Sequence, residues 1–315
     1  MQKRSLGRTG LTIAPLVLGG NVFGWTADEA TSFKVLDAFA EAGLNAIDTA
    51  DVYSAWHTGN KGGESETIIG KWMKARKNRD KLVIITKVGS EMGPGRKGLK
   101  AAYIEDAVDH SLRRLQIDEI DLYLSHWPDP DTPYEETLGA YQRLLAKGKI
   151  KAVGASNLDA AQLKASLDIA HKYKLPRYDV LQPEYNLYDR SSFEGPLQAL
   201  CIAEDIGVIT YFALAKGFLS GKYRSEADLK QSARGEGVAN YLNPRGHRIL
   251  KALDDVAKRH DAKPAEVALA WQMAQPGVTA PIASATSVAQ VQSLAKAVQL
   301  ELTKDDLDLL TGAGD

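Results

Sequence analysis

A single cysteine, Cys201, stands in 315 residues, so no disulfide closes within the chain, and a reducing compartment is expected. It lies in Ala199-Leu-Cys-Ile-Ala203 and reads as a small core residue rather than a nucleophile. Long apolar runs are missing too: no stretch reaches the roughly 18 residues of a membrane-spanning helix. Lys3 and Arg4 are followed by Gly7-Arg-Thr-Gly10, with no sustained apolar segment of the secretory kind. Neither sign of charge is in excess. The 39 Lys+Arg and 40 Asp+Glu leave −1, so no basic field invites nucleic acid or an anionic membrane. The six histidines (57, 110, 126, 171, 247 and 260) are scattered without metal-ligand spacing, and no metal is expected. These absences predict a soluble, globular, cytoplasmic protein that engages neither nucleic acid nor a membrane; they say nothing of its chemistry and leave its oligomeric state open.

What is present is an alternation. Short apolar, β-branched runs at 15–20, 44–49, 82–87, 120–126, 151–156, 180–184, 207–214 and 278–284 read as buried parallel strands. Helical spacing separates them, as in Val108, Leu112 and Leu115 or in Leu138, Tyr141 and Leu145. Gly43, Gly148 and Gly207 each stand where a helix gives way to a strand, the place of a left-handed C′ glycine. Successive strand ends lie about 26–39 residues apart, the length of one strand–helix unit. Eight units without a low-complexity linker predict one domain over 1–315, an α/β (β/α)8 TIM barrel. A doubly wound open sheet is the rival. Residues 3–6 and 12–13 around Gly7-Arg-Thr-Gly10 predict an N-terminal β-hairpin that caps the barrel bottom. A Gly-, Arg- and Asn-rich stretch, 221–246, delays the eighth unit and reads as a long functional loop or lid after strand 7.

Two glycine patterns are decoys. Gly93-Pro-Gly-Arg-Lys-Gly98 matches a dinucleotide fingerprint, but residues 88–92 separate it from the strand and the next strand ends in Ser125-His126 without a ribose-binding carboxylate. Gly217-Phe-Leu-Ser-Gly-Lys222-Tyr223 is one residue short of a P-loop and lacks its metal-binding hydroxyl.

In a barrel of this kind, strand C-termini converge on one mouth. The ends here supply Asp48, Tyr53, Lys87 and His126. Singly, each has an ordinary explanation as a turn cap, a packing ring or a solvated end. Together they compose a proton donor. The ordinary phenol pKa of about 10 is high for proton transfer near neutrality; a nearby Lys87 ammonium is expected to lower it for Tyr53, with Asp48 holding the ammonium. His126 is expected to orient a substrate oxygen. Such a site polarises and protonates a carbonyl yet holds no source of electrons, so it calls for a hydride donor, nicotinamide above all.

These residues stand within motifs that resemble the aldo-keto reductase superfamily over nearly the whole chain: Asp48-Thr-Ala-Asp-Val-Tyr53, Thr86-Lys87, Asp121-Leu-Tyr-Leu-Ser-His-Trp-Pro128, Gly154-Ala-Ser-Asn157, Gln182-Pro-Glu-Tyr-Asn186 and the segment 211–223. Leu6-Gly-Arg-Thr-Gly10 and Leu18-Gly-Gly20 are similar to its bacterial and potassium-channel β-subunit-like branches. The resemblance implies hydride transfer from NADPH (or NADH) to an aldehyde or ketone, with Tyr53 as acid/base, Lys87 and Asp48 as its tuning pair and His126 as orienting group. It implies that Ser156, Asn157 and Gln182 bond the carboxamide, that Tyr211 stacks on the nicotinamide, and that Asp48, Gly20 and Asn21 lie by its ribose. Ala213, Leu214, Lys216, Gly217, Leu219 and Lys222 would then line the pyrophosphate, and Ser284, Thr286, Ser287 and Gln290 the far end. Phe23, Trp25, Trp56, His57 and Trp127, with the 221–246 loop, would build an aromatic substrate pocket.

The pattern departs from the family in two places. Where a Gly-x-Arg or Gly-x-Lys often reads the 2′-phosphate of NADP, this chain has Ala283-Ser-Ala-Thr-Ser287, then Gln290 and Ser293. NADP(H) stays the expected cofactor, with NAD(H) its alternative. Phe212-Ala213 stands where Ser-Pro is usual. The alternative functions are a nicotinamide-sensing regulatory subunit, as in the resembling channel subunits, and an unrelated phosphate-binding barrel isomerase.

Overall fold

Strands here are short and internally apolar, and they pair in sequence order until the last returns to the first. The computed structural model describes residues 2–231 and 235–315. After an antiparallel hairpin, β1 (Arg4–Ser5) and β2 (Thr12–Ile13), come β3 (Val17–Gly19), β4 (Ala46–Asp48), β5 (Val83–Val88), β6 (Ile120–Ser125), β7 (Ile150–Ser156), β8 (Val180–Gln182), β9 (Gly207–Thr210) and β10 (Ala280–Ala283). From β3 to β10 each strand runs parallel to the next, and β10 closes on β3 through Ile282 and Val17. The open sheet is thereby excluded, and the architecture is the (β/α)8 barrel. Helices follow the strands and form the outer shell, among them Glu29–Glu41, Glu64–Arg76, Ala101–Leu115 and Val288–Ala297. Among the described residues no helix is long and apolar enough to cross a membrane.

Strand alternation divides the core in two. Ala46, Ile85, Leu122, Leu124, Val180 and Ile209 fill the barrel interior, whereas Ile47, Ile84, Tyr123, Val153, Leu181 and Val208 face the helices. Leu6 and Ile13 of the hairpin join the interior cluster, so the cap at the bottom is as expected. Continuing the inward set by one step of two reaches Asp48 after Ala46, Lys87 after Ile85, His126 after Leu124, Ser156 after Gly154 and Gln182 after Val180. The polar layer thus sits directly on an apolar plug.

Two expectations are corrected. Residues 207–214 do not form one strand: β9 stops at Thr210, and Phe212, Ala215 and Lys216 take φ of 52°, 47° and 58°, which turns the chain into a cradle. Gly43 and Gly148 do adopt left-handed φ (78° and 64°), but Gly207 does not, and Asp205 at φ 52° makes that turn instead. Gly207 is needed for clearance, since a Cβ there would lie 2.7 Å from Gly7 N and 2.8 Å from the Leu6 carbonyl carbon. Within the expected 221–246 loop, Glu226–Gln231 and Gly235–Tyr241 are short 3-10 turns, while residues 232–234 lie outside the described residues.

Gly154 lets β7 pass its neighbours below the mouth, for a Cβ would sit 2.5 Å from Leu124 Cδ2 and 2.6 Å from the Val180 carbonyl oxygen. A backbone oxygen in a closed barrel cannot step aside, so Gly154→Ala is expected to lose about 1–3 kcal/mol of stability by urea denaturation.

Candidate active site

Lys87 projects from β5 into the interior with none of its surface exposed. Its three ammonium protons find three acceptors: Asp48 Oδ2 at 2.7 Å, the Thr49 carbonyl at 2.8 Å and Tyr53 OH at 2.8 Å. Asp48 uses both oxygens, taking Gln182 Nε2–H on Oδ1 at 2.8 Å and a long bond from Tyr53 OH on Oδ2 at 3.3 Å. Four chain-distant residues, from β4, its following loop, β5 and β8, are therefore locked into one unit. An unpaired charge at this depth would cost several kcal/mol, which is why the set is saturated.

The electrostatics differ from the sequence expectation in one respect. Burial, and then the Asp48 carboxylate, hold the Tyr53 phenol well above its ordinary value despite the adjacent ammonium. Burial likewise pulls Lys87 below the usual lysine value, against the opposing pull of Asp48. The resting phenol is therefore protonated at neutral pH. The phenol's bond to Asp48 Oδ2 is longer than the usual 2.7–2.8 Å of hydroxyl donors.

His126 follows β6 and is neutral, since burial, reinforced by Lys87, keeps it well below the ordinary imidazole value. Its ring stacks on Trp127 at 5.6 Å, and its Nδ1 lies 3.0 Å from Ser90 Oγ. Tyr211 OH donates to Asn157 Oδ1 at 2.7 Å, and Asn157 Nδ2 donates to the His126 carbonyl and to Ser156 Oγ. Ser156 Oγ in turn donates to the Gln182 carbonyl at 2.7 Å.

All of this opens onto a cavity of about 800 Å³. It runs from Asp48, Tyr53, Trp56, His126 and Trp127 past Ser156, Asn157, Gln182 and Tyr211, then along Ala213, Leu214, Lys216, Gly217 and Lys222 to Asn21, Ser284, Thr286 and Gln290. Six expected contacts do not line it. Phe23 is core, and its carbonyl accepts Ser54 Oγ–H; Leu219 is core as well. Gly20 lies behind Gly19, with its carbonyl taken by Ser65 Oγ. Ser287 caps the helix Val288–Ala297, and Trp25 backs the rim by an edge contact with Trp56 at 5.7 Å. No described residue from 223 to 246 reaches the lining, so the long loop does not build the pocket there. Neither does His57, which is exposed. Gly19, Val22, Thr26, Ser90, Ala265 and Leu294 line the cavity without having been anticipated. Ser90 had one available signal: it is a polar residue in the loop after a barrel strand, three positions beyond Lys87.

The family model for the aldo/keto reductase family matches residues 15–315. The chain belongs to the aldo/keto reductase family. It is 34% identical to the uncharacterized oxidoreductase YrpG of Bacillus subtilis (strain 168), over 98% of this chain and 95% of that one. Protein tas of Escherichia coli (strain K12) is 31% identical over 98% and 96%. A probable voltage-gated potassium channel subunit beta of Arabidopsis thaliana is 32% identical over 95% and 92%. As in other family members, an oxidoreductase using a nicotinamide nucleotide is the coarse function.

One buried acid lies behind this aldo/keto reductase site. Asp51 has neither carboxylate oxygen hydrogen-bonded among the described residues, and its backbone N–H donates to the Lys87 carbonyl. Burial, with Glu66 nearby, pushes its carboxyl up from 3.8 to about 8. The native protein consequently keeps a proton that the unfolded chain releases. The stabilisation is full below about pH 4 and is lost as pH rises through about 8. Asp51→Asn imitates the protonated acid. Its stability advantage over the parent, read by urea denaturation, is expected to grow from pH 5 to pH 8 and then level off.

Proposed function

We propose that the protein is an NAD(P)H-dependent reductase of aldehydes or ketones in which Tyr53 supplies the proton. The observation that carries this reading is the 2.8 Å bond between Lys87 Nζ and Tyr53 OH at the floor of a groove of dinucleotide size. The donor set fits a nicotinamide nucleotide. Amide and hydroxyl groups of Ser156, Asn157 and Gln182 suit a carboxamide, the Tyr211 ring offers a stacking face, and Lys216 and Lys222 stand by a turn with φ of 58° and 103° at Lys216 and Gly217 that suits a pyrophosphate. When bound, a reduced nicotinamide supplies the hydride. Tyr53 then gives its proton to the substrate oxygen. As charge develops on the phenol oxygen, the Lys87 ammonium already in place stabilises it without reorganisation. Gln182 and Lys87 together keep Asp48 from turning toward the substrate, and His126 directs the carbonyl oxygen.

The substrate end is a rim of rings: Trp56 and Trp127 are 50% and 49% exposed, and Phe212 adds a third exposed ring. A neutral carbonyl compound with an apolar or aromatic body suits that rim. The single buried thiol, pushed up to about 12 by burial, is inert and compatible with cytoplasmic residence. A second reading, a nicotinamide-sensing regulatory subunit, draws on the likeness to proteins named as potassium channel β subunits.

Tyr53→Phe is expected to bind NADPH as the parent does, by fluorescence quenching, and to lose about 10²–10⁴-fold in turnover; near-parental turnover would remove Tyr53 as the acid and favour the regulatory reading. At the groove's far end Thr286 N and Oγ1 both donate to Gln290 Oε1, and the cations lining the cavity among the described residues are Lys216 and Lys222. NADP(H) is the cofactor by resemblance, but without a guanidinium for its 2′-phosphate the preference is shallow. Dissociation constants for NADPH and NADH within about tenfold of each other are expected, and Thr286→Arg should tighten NADPH selectively.

A further inference from the structure

One hydroxyl joins two rings of the site. Ser90 Oγ accepts Trp127 Nε1–H at 3.1 Å and lies 3.0 Å from His126 Nδ1. We propose that Ser90 is a positioning residue: it fixes the His126 tautomer in which Nδ1 accepts the serine proton and Nε2–H faces the cavity to donate to the substrate oxygen. The proposal rests on the reading of His126 as the group that directs that oxygen.

Counting protons carries the argument. An indole N–H only donates, so Trp127 occupies one lone pair of Ser90 Oγ and leaves its single proton to be placed. Neutral His126 has one ring proton. If Nδ1 held it, Ser90 would accept twice and its own proton would have no protein acceptor, because no other bond to Ser90 exists among the described residues. If Nε2 holds it, the chain runs Trp127 to Ser90 to Nδ1 and every group there is satisfied.

The ring's position is set by other contacts. His126 N–H donates to the Val88 carbonyl at 2.8 Å, its carbonyl accepts Asn157 Nδ2 at 2.9 Å, and the ring lies within 10° of parallel to Trp127. To these contacts the serine adds the choice of which ring nitrogen carries the proton. The choice matters because an unprotonated Nε2 would turn a lone pair toward a carbonyl oxygen, whereas Nε2–H offers that oxygen a second donor beside Tyr53.

Side-chain ¹⁵N spectra of the full-length protein at neutral pH read the tautomer directly, with His126 assigned by its loss in His126→Gln. The expected parent spectrum has an unprotonated-type Nδ1 and a protonated-type Nε2. In Ser90→Ala the two shifts should move toward each other, and kcat for NADPH with p-nitrobenzaldehyde should fall about tenfold, with KM nearly unchanged. Ser90→Thr keeps the hydroxyl and should restore both. A protonated Nδ1 in the parent, or a Ser90→Ala protein with the parent's spectrum and turnover, would overturn the proposal. Full turnover in His126→Gln would instead remove the substrate-facing role of the histidine, whereas the spectrum reads the tautomer independently of that role.

Discussion

Everything at the barrel mouth is organised around one buried ammonium. Lys87 has no exposed surface, and such a charge persists only if its protons are all taken and an opposite charge is adjacent. The three acceptors come from β4 and the loop that follows it, so the pairing of β4 with β5 is what brings them within reach. Gln182 extends the same set across to β8 through the second oxygen of Asp48. Losing either Lys87 or Asp48 would strand a charge in the interior at a cost of about 3–5 kcal/mol, so the pair is as much a constraint on folding as on chemistry.

That constraint changes the meaning of the lysine. An ammonium beside a phenol in water would make it a stronger acid. Here the same burial that makes Lys87 valuable also penalises a phenolate, and the Asp48 charge needed to hold the lysine opposes ionisation further. The result is a phenol that rests protonated, with a cation in contact, ready for charge that develops only during reaction. Stabilisation reserved for the developing charge is what separates catalysis from mere binding.

The cavity divides its labour along its length. A polar floor of amides and hydroxyls lies between an aromatic rim and a far end without a cation of its own, apart from Lys216 and Lys222 midway. The cradle between Tyr211 and Gly217 depends on left-handed backbone at Phe212, Ala215 and Lys216, a conformation those residue types adopt only when the surroundings compel it. Thr210 and Gln272 supply part of that compulsion from beneath: Gln272 accepts from the Thr210 hydroxyl and donates to the Ala213 carbonyl.

Period and position were legible in the residues alone. Apolar runs at regular spacing favoured a parallel barrel over an open sheet, and polar residues at the C-terminal ends of those runs were expected at the mouth, where such ends converge. Asp48, Lys87 and His126 were found from their places at strand ends, Ser156 and Gln182 from the family resemblance. Local order also gave the hairpin cap, yet it mistook residues 211–214, where the cradle begins, for strand, because apolar residues look alike in either conformation until neighbours force φ positive. Only tertiary packing could decide the sign of the Tyr53 shift, the retreat of Gly20, Phe23 and Leu219 from the cavity, and the meeting of Ser90 with His126 and Trp127. Those outcomes depend on burial and on distances between segments remote in sequence, and the field at a buried atom is the sum over all of them.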